Sequence, residues 1–171
     1  HGAGPAVECY DVPDDAYKDG GITKRGVQQI ERFKDIEEPF FLAVGFLKPH
    51  LPFVAPKKYW DLYDRNSLPL ATYQRAPHGA PDCSISDYVE ARTYGGVPAN
   101  GVITNEIQRE LIHGYLACVS YVDAQIGELI AKLHKTGQYD NTIIVLWGDH
   151  GFHLGDKHLF GKHTNYEEAT R

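Results

Sequence analysis

The run Phe40-Phe41-Leu42-Ala43-Val44-Gly45-Phe46 passes through Leu47 into Lys48-Pro49-His50. A second run, Thr142-Ile143-Ile144-Val145-Leu146-Trp147-Gly148, passes directly into Asp149-His150-Gly151. Both are unbroken in their hydrophobicity, which predicts strands buried on both faces, as in a parallel sheet. The fold class is therefore α/β, a mostly parallel sheet flanked by helices. In an open parallel sheet, ligands bind outside the carboxyl ends of the strands. If residues 40–46 and 142–148 are parallel neighbours, a lysine, two histidines and an aspartate converge at one edge. That is the make-up of a site for a metal ion and an oxyanion.

The intervening sequence supplies the helices. Residues 1–22, rich in Gly, Pro and Asp, read as loop with a short strand near Ala6-Val7. Val27, Ile30 and Phe33 at three-residue spacing predict a short helix over 23–37, ended by Glu37-Glu38-Pro39. Pro56 is placed to open a short helix through Tyr63. A long helix is expected from Asn105, with Gln108 in capping-box position. Its apolar stripe is Ile107, Leu111, Cys118, Val119, Val122, Ile126, Leu129, Ile130 and Leu133. Lys132, His134 and Lys135 suit the helix dipole in the last turn, and Gly137 supplies a left-handed stop. Strand, helix and strand in this order predict a right-handed crossover. Between the short and long helices, residues 65–103 hold Pro69, Pro77, Pro81 and Pro98 with no sustained period. Such a stretch reads as a long loop insertion, a substrate-side lid or specificity loop.

Composition narrows the function. The 171 residues suffice for one domain with a core. A net charge of -6 argues against nucleic acid as a partner, because phosphate backbones require a basic face. No apolar stretch has the length of a membrane span. His1-Gly2-Ala3-Gly4-Pro5 has neither the basic nor the apolar region of a signal peptide, and there is no methionine. Both ends are expected to be internal to a longer protein. Cys9, Cys83 and Cys118 have neither the number nor the spacing of a disulfide framework or zinc site. Cys118, on the apolar helix face, is expected to be a buried thiol.

Asp149 and His150 offer a carboxylate and an imidazole at a strand end, good ligands for a divalent cation, with Gly151 permitting a sharp turn beside it. A surface turn with a solvated histidine is the plainer alternative. Lys48 offers a compact positive charge for an oxyanion, and His50 a hydrogen bond or a proton. Lys162 is a second oxyanion contact; a solvated lysine is its alternative. His150, His153, His158 and His163 recur every three to five residues, but no Cys or HExxH motif accompanies them. Of these histidines only His150 is read as a ligand.

Together these residues resemble the sulfatase family of the alkaline-phosphatase-like superfamily. The likeness is tightest over Pro39 to Phe53, over Gly148-Asp149-His150-Gly151-Phe152-His153-Leu154-Gly155, and over Gly161-Lys162-His163-Thr164-Asn165. Within the family the chain is most similar to the iduronate-2-sulfatase branch and its bacterial relatives, which carry Asp-His as a metal pair. The resemblance implies the central part of a sulfatase catalytic domain, with calcium on Asp149 and His150. It implies catalytic and sulfate contacts from Lys48, His50 and Lys162, and a sulfated sugar or similar sulfate ester as substrate. It also implies a secreted, periplasmic or lysosomal setting. His158 follows Asp156-Lys157, where similar proteins often have an acid followed directly by His, so it receives no role. The family nucleophile is a formylglycine made from Cys in a Cys-x-Pro-Ser-Arg or similar motif. None of the three cysteines here has that context. The nucleophile and the paired N-terminal Asp ligands are therefore expected upstream, and the chain alone is expected to be inactive. A phosphatase or phosphodiesterase of the same superfamily, or a non-catalytic sulfated-glycan binder, stands as the alternative.

Overall fold

The computed structural model describes residues 4–85 and 89–170; the expectations for residues 1–3, for 86–88 within the 65–103 loop and for Arg171 lie outside them. Four strands and four α-helices are present among the described residues: β1 (Val7–Tyr10), α1 (Lys18–Phe33), β2 (Phe53–Pro56), α2 (Lys57–Trp60), α3 (Asn105–Lys135), β3 (His153–Leu154), β4 (Phe160–Gly161) and α4 (Glu167–Thr170).

Helix α3 organises the rest. Its cap lies one residue earlier than predicted: the Thr104 side chain accepts from the Ile107 N–H at 3.4 Å. Its end is as predicted. Gly137 adopts φ +72° and donates to His134 O, while Gln138 N reaches back to Leu133 O, so the last carbonyls are satisfied by a left-handed stop. The buried face differs from the apolar stripe. Leu111, Cys118 and Leu133 are buried, but so are Gly114, Ala117, Tyr121 and Gln125, whereas Val119 is 42% exposed. The reason is close approach. A Cβ on Gly114 would lie 2.8 Å from Phe53 Cβ and 2.9 Å from Trp60 Cη2, so β2 and α2 come against the helix where its residues are small.

Helix α1 starts at Lys18, five residues before the predicted start, and stops at Phe33 rather than running to residue 37. The turn Asp14–Ala16 leads into it, with Tyr17 as N-cap. Gly20 permits this entry, because a Cβ there would overlap the Asp14 carbonyl. Ile30 is buried, and Gly26 lets the Leu129 side chain of α3 approach. Helix α2 starts at Lys57, with Pro56 as its N-cap rather than its first residue, and closes at Trp60, before Tyr63.

The parallel pairing lies elsewhere than the two apolar runs suggested. β1 and β2 pair in parallel, in the register Val7↔Phe53 through Tyr10↔Pro56, and β3 pairs antiparallel with β4. Residues 40–46 and 142–148 form no ladder among the described residues, with each other or with β1–β2. A ladder needs a neighbour's N–H and C=O groups alongside, and apolar composition does not supply one. In 40–46 alternate residues are half-buried, Val44 lying near Gly26 and Phe40 stacking on Phe33, while Phe41 is 91% exposed. In the second run Ile143, Val145, Leu146 and Trp147 all face outward. These runs therefore do not set the site by sharing a sheet edge.

The described part of 65–103 has short 3-10 turns at Arg65–Ser67, Asp82–Ser84 and Glu90–Thr93, and neither α-helix nor named strand. It is nonetheless tied into the body. Leu68, Ala91 and Val97 join the core around Phe53, Tyr121 and Phe160, and Gly95 bridges to Pro5.

Candidate active site

The site is built on the turn after residues 40–46. Asp19, in the first turn of α1, is 1% exposed, and its carboxylate receives two successive backbone amides. Oδ1 accepts from Leu47 N at 2.8 Å and Oδ2 from Lys48 N at 3.1 Å. The backbone entering Lys48-Pro49-His50 is thus held by a buried charge, and the Lys48–Pro49 and Leu51–Pro52 peptides are cis. The Lys48 ammonium turns back on this segment and donates to His50 O at 3.0 Å and Pro52 O at 2.6 Å. Burial lowers its pKa from the ordinary lysine value.

His50 is oriented by its own neighbour. Nδ1 lies 2.6 Å from Leu51 O. A carbonyl only accepts, so Nδ1 carries a proton and Nε2 is the atom left to face the cluster. Nε2 is 3.0 Å from Lys162 Nζ, contributed from the residue after β4. Both groups face Glu90, whose side chain is only 8% exposed. The Glu90 carboxylate is 3.1 Å from Lys162 Nζ and 3.5 Å from His50 Nε2. The 90–93 turn and β4 pack closely, since a Cβ on Gly161 would lie 3.3 Å from Glu90 N.

No hydrogen bond or ion pair joins Asp149 or His150 to Lys48, His50 or Lys162 among the described residues. Asp149 is 87% exposed, with Oδ1 accepting from His150 N. His150 Nδ1 donates to Gly151 O at 2.7 Å, which leaves Nε2 as the unprotonated nitrogen, 3.7 Å from Asp149 Oδ2. Gly151 N is anchored on Ala169 O beside α4. A carboxylate oxygen and an unprotonated imidazole nitrogen at that separation can share one divalent cation; the carboxylate is the oxygen donor that calcium takes, whereas the imidazole is a donor suited to softer ions.

A second cluster invites a metal reading and does not carry it. Ligand atoms of His153, Asp156 and Glu168 lie within 4.8 Å of one another. Both nitrogens of the fully buried His153 are engaged, Nδ1 by Asp156 and Nε2 by Thr164 Oγ1 at 2.7 Å. The Lys157 ammonium already bridges the carboxylates, 3.3 Å from Asp156 and 2.8 Å from Glu168. Burial pushes the Asp156 carboxyl up, but the His153 hydrogen bond and the Lys157 charge outweigh it and hold the pKa below the usual value.

The sulfatase family model matches residues 5–171. The chain belongs to the sulfatase family. It is 35% identical to iduronate 2-sulfatase from Homo sapiens over 170 residues, covering 96% of this chain and 31% of that protein. A sulfatase from Formosa agariphila is 39% identical over 146 residues, covering 83% of this chain and 28% of its own length. In three dimensions the chain is similar to the phosphonate monoester hydrolase of Silicibacter pomeroyi, with a TM-score of 0.75 at 31% identity, over 92% of this chain and 32% of that one. It thus spans about a third or less of the relatives it matches, and its fold is that of alkaline-phosphatase-like hydrolases. Within this sulfatase chain, two functional candidates escaped the sequence reading. Glu90 lies in an aperiodic segment. Asp19 precedes Gly20-Gly21, where only the glycine pair hinted at a close approach.

Proposed function

We propose that this chain carries the sulfate-recognising part of a sulfuric-ester hydrolase whose catalytic unit extends beyond these residues. The observation that supports this most is the convergence of His50 Nε2 and Lys162 Nζ, 3.0 Å apart, beside the Lys48 turn. Sulfate is a tetrahedral anion, and two ammonium groups and an imidazole are the donor types that bind it. Lys48 and Lys162 offset charge on the transferring group. His50 holds a sulfate oxygen or gives a proton to the leaving oxygen when Nε2 is protonated as well, in the imidazolium form. Asp149 and His150 would hold calcium, which supplies charge stabilisation to a sulfate oxygen and to the nucleophile when bound. A formylglycine from outside this chain would supply the nucleophilic hydroxyl. The substrate class is a sulfated sugar or similar ester, and the setting secreted, periplasmic or lysosomal. Among the described residues, no helix is long and apolar enough to cross a membrane.

The test uses the complete protein containing this chain and a chromogenic sulfate ester. Asp149→Ala is expected to weaken calcium binding and abolish turnover. Lys48→Ala is expected to abolish turnover with calcium retained, because a protonated ammonium does not ligate a cation. Full activity of Asp149→Ala, or calcium loss in Lys48→Ala, overturns the assignments. The likeness to a phosphonate monoester hydrolase favours a second reading, hydrolysis of a phosphonate or phosphate ester. An aryl phosphonate turned over faster than the aryl sulfate would establish it.

A further inference from the structure

We propose that Glu90 is a positioning residue for the sulfate site, fixing the Lys162–His50 pair at the expense of anion affinity. This rests on the reading of Lys48, His50 and Lys162 as sulfate contacts. Glu90 is out of place by charge. Its carboxylate is almost wholly buried and faces two groups that would bind an anion, Lys162 Nζ at 3.1 Å and His50 Nε2 at 3.5 Å. A carboxylate there repels bound sulfate, so selection for binding alone would remove it.

The geometry shows what it does instead. A lysine ammonium has three donors. One N–H of Lys162 points to His50 Nε2 and another to Glu90 Oε1. With two of its donors engaged, the nitrogen has one N–H left to offer a sulfate oxygen. The turn that carries Glu90 is itself held, because Ala91 is fully buried and Thr93 Oγ1 donates to Glu90 O at 2.8 Å. Glu90 thus turns a mobile lysine into a directed donor. Such alignment favours the transition state, whereas the added negative charge disfavours the bound ground state.

The two effects have opposite signs, and this gives the test. In the complete enzyme, Glu90→Gln keeps the shape but removes the charge and replaces the charge-assisted acceptor that holds Lys162 by a weaker neutral one. The inhibition constant for inorganic sulfate, and KM for an aryl sulfate, are expected to fall about tenfold, in keeping with loss of one charge near the anion in a partly screened site. At the same time kcat is expected to fall on the order of 10²-fold, with a greater loss for esters with poor leaving groups, as misaligned proton donors produce. Glu90→Asp, which keeps the charge, is expected to bind sulfate like the wild type. It also serves as the readout should the Gln variant fail to fold: tighter sulfate binding by the Asp variant overturns the proposal. Unchanged kcat in Glu90→Gln overturns it, and so does a fall in kcat with weaker sulfate binding, which would make Glu90 a mere prop of the anion site. A wild-type enzyme inert toward every sulfate ester would refute the functional reading instead. A wild-type enzyme that is active while its Gln variant is unaltered refutes only the role of Glu90.

Discussion

Replacing Asp19 with Asn should damage stability and catalysis together. The carboxylate presents one oxygen to Leu47 N and the other to Lys48 N, at 2.8 and 3.1 Å, from a side chain that is 1% exposed. An asparagine has one acceptor oxygen, so its amide NH2 must face the second backbone N–H. One charge-assisted hydrogen bond is lost, one loses its charge, and a donor is left against a donor. Hydrogen bonds to charged groups contribute about 1.5–3 kcal/mol, and an unsatisfied buried donor costs about 1–3 kcal/mol. The acid also sits in the first turn of α1, where the helix dipole adds about 0.3–1 kcal/mol. These terms overlap, and the net loss is expected to be about 2–4 kcal/mol. It would be read as a lower denaturant midpoint at unchanged slope in the complete protein. Because the lost bonds hold the backbone of Lys48, kcat should fall even where the variant is fully folded. A midpoint within error of wild type would refute the reasoning, as would normal turnover in a variant that is destabilised as expected.

Gly114→Ala should destabilise: overpacking against Phe53, Trp60 and Val7 costs about 1–3 kcal/mol, against about 1 kcal/mol of helix propensity gained. A raised melting temperature would contradict the close approach. Cys118, fully buried and with its thiol pushed up to about 12 by burial, should resist a thiol reagent at pH 8 until denaturant is added; its labelling in the folded protein would count against the packing. Asp156 titrates below its unfolded value, so the stability it contributes is complete above the unfolded carboxyl pKa of about 3.9 and is lost as pH falls through the lower native value. Asp156→Asn should therefore flatten the acid side of the stability profile below about pH 4; an unchanged acid limb would show that the pairing with His153 and Lys157 adds nothing.

What the sequence disclosed was mostly local. The stop at Gly137 is written in one residue and its neighbours, and the helix before it in a period. The buried face of that helix was harder to read, because it is lined by Gly114, Ala117 and Gln125, which hydrophobic periodicity passes over. The runs at 40–46 and 142–148 are rightly apolar, but a ladder depends on a distant partner that composition does not name. Lys48, His50 and Lys162 were visible as residue types and through the family likeness. The His50–Lys162 contact spans 112 positions, and only the folded chain displays it. Glu90 carried no local signal, since a glutamate in a proline-punctuated loop looks the same whether it meets water or a buried ammonium.

The outward-facing stretch at 142–147 has a practical consequence. Thr-Ile-Ile-Val-Leu-Trp is uncharged, free of proline and glycine, and rich in β-formers, and its side chains from 143 to 147 are exposed. Segments of this composition stack on copies of themselves into dry, interdigitated cross-β layers. Asp140 lies two residues before this stretch and Asp149 two residues after it, and they are its nearest charged gatekeepers. Expressed as these 171 residues alone, the polypeptide is expected to aggregate through this strip, and a charge placed within it is expected to raise the solubility.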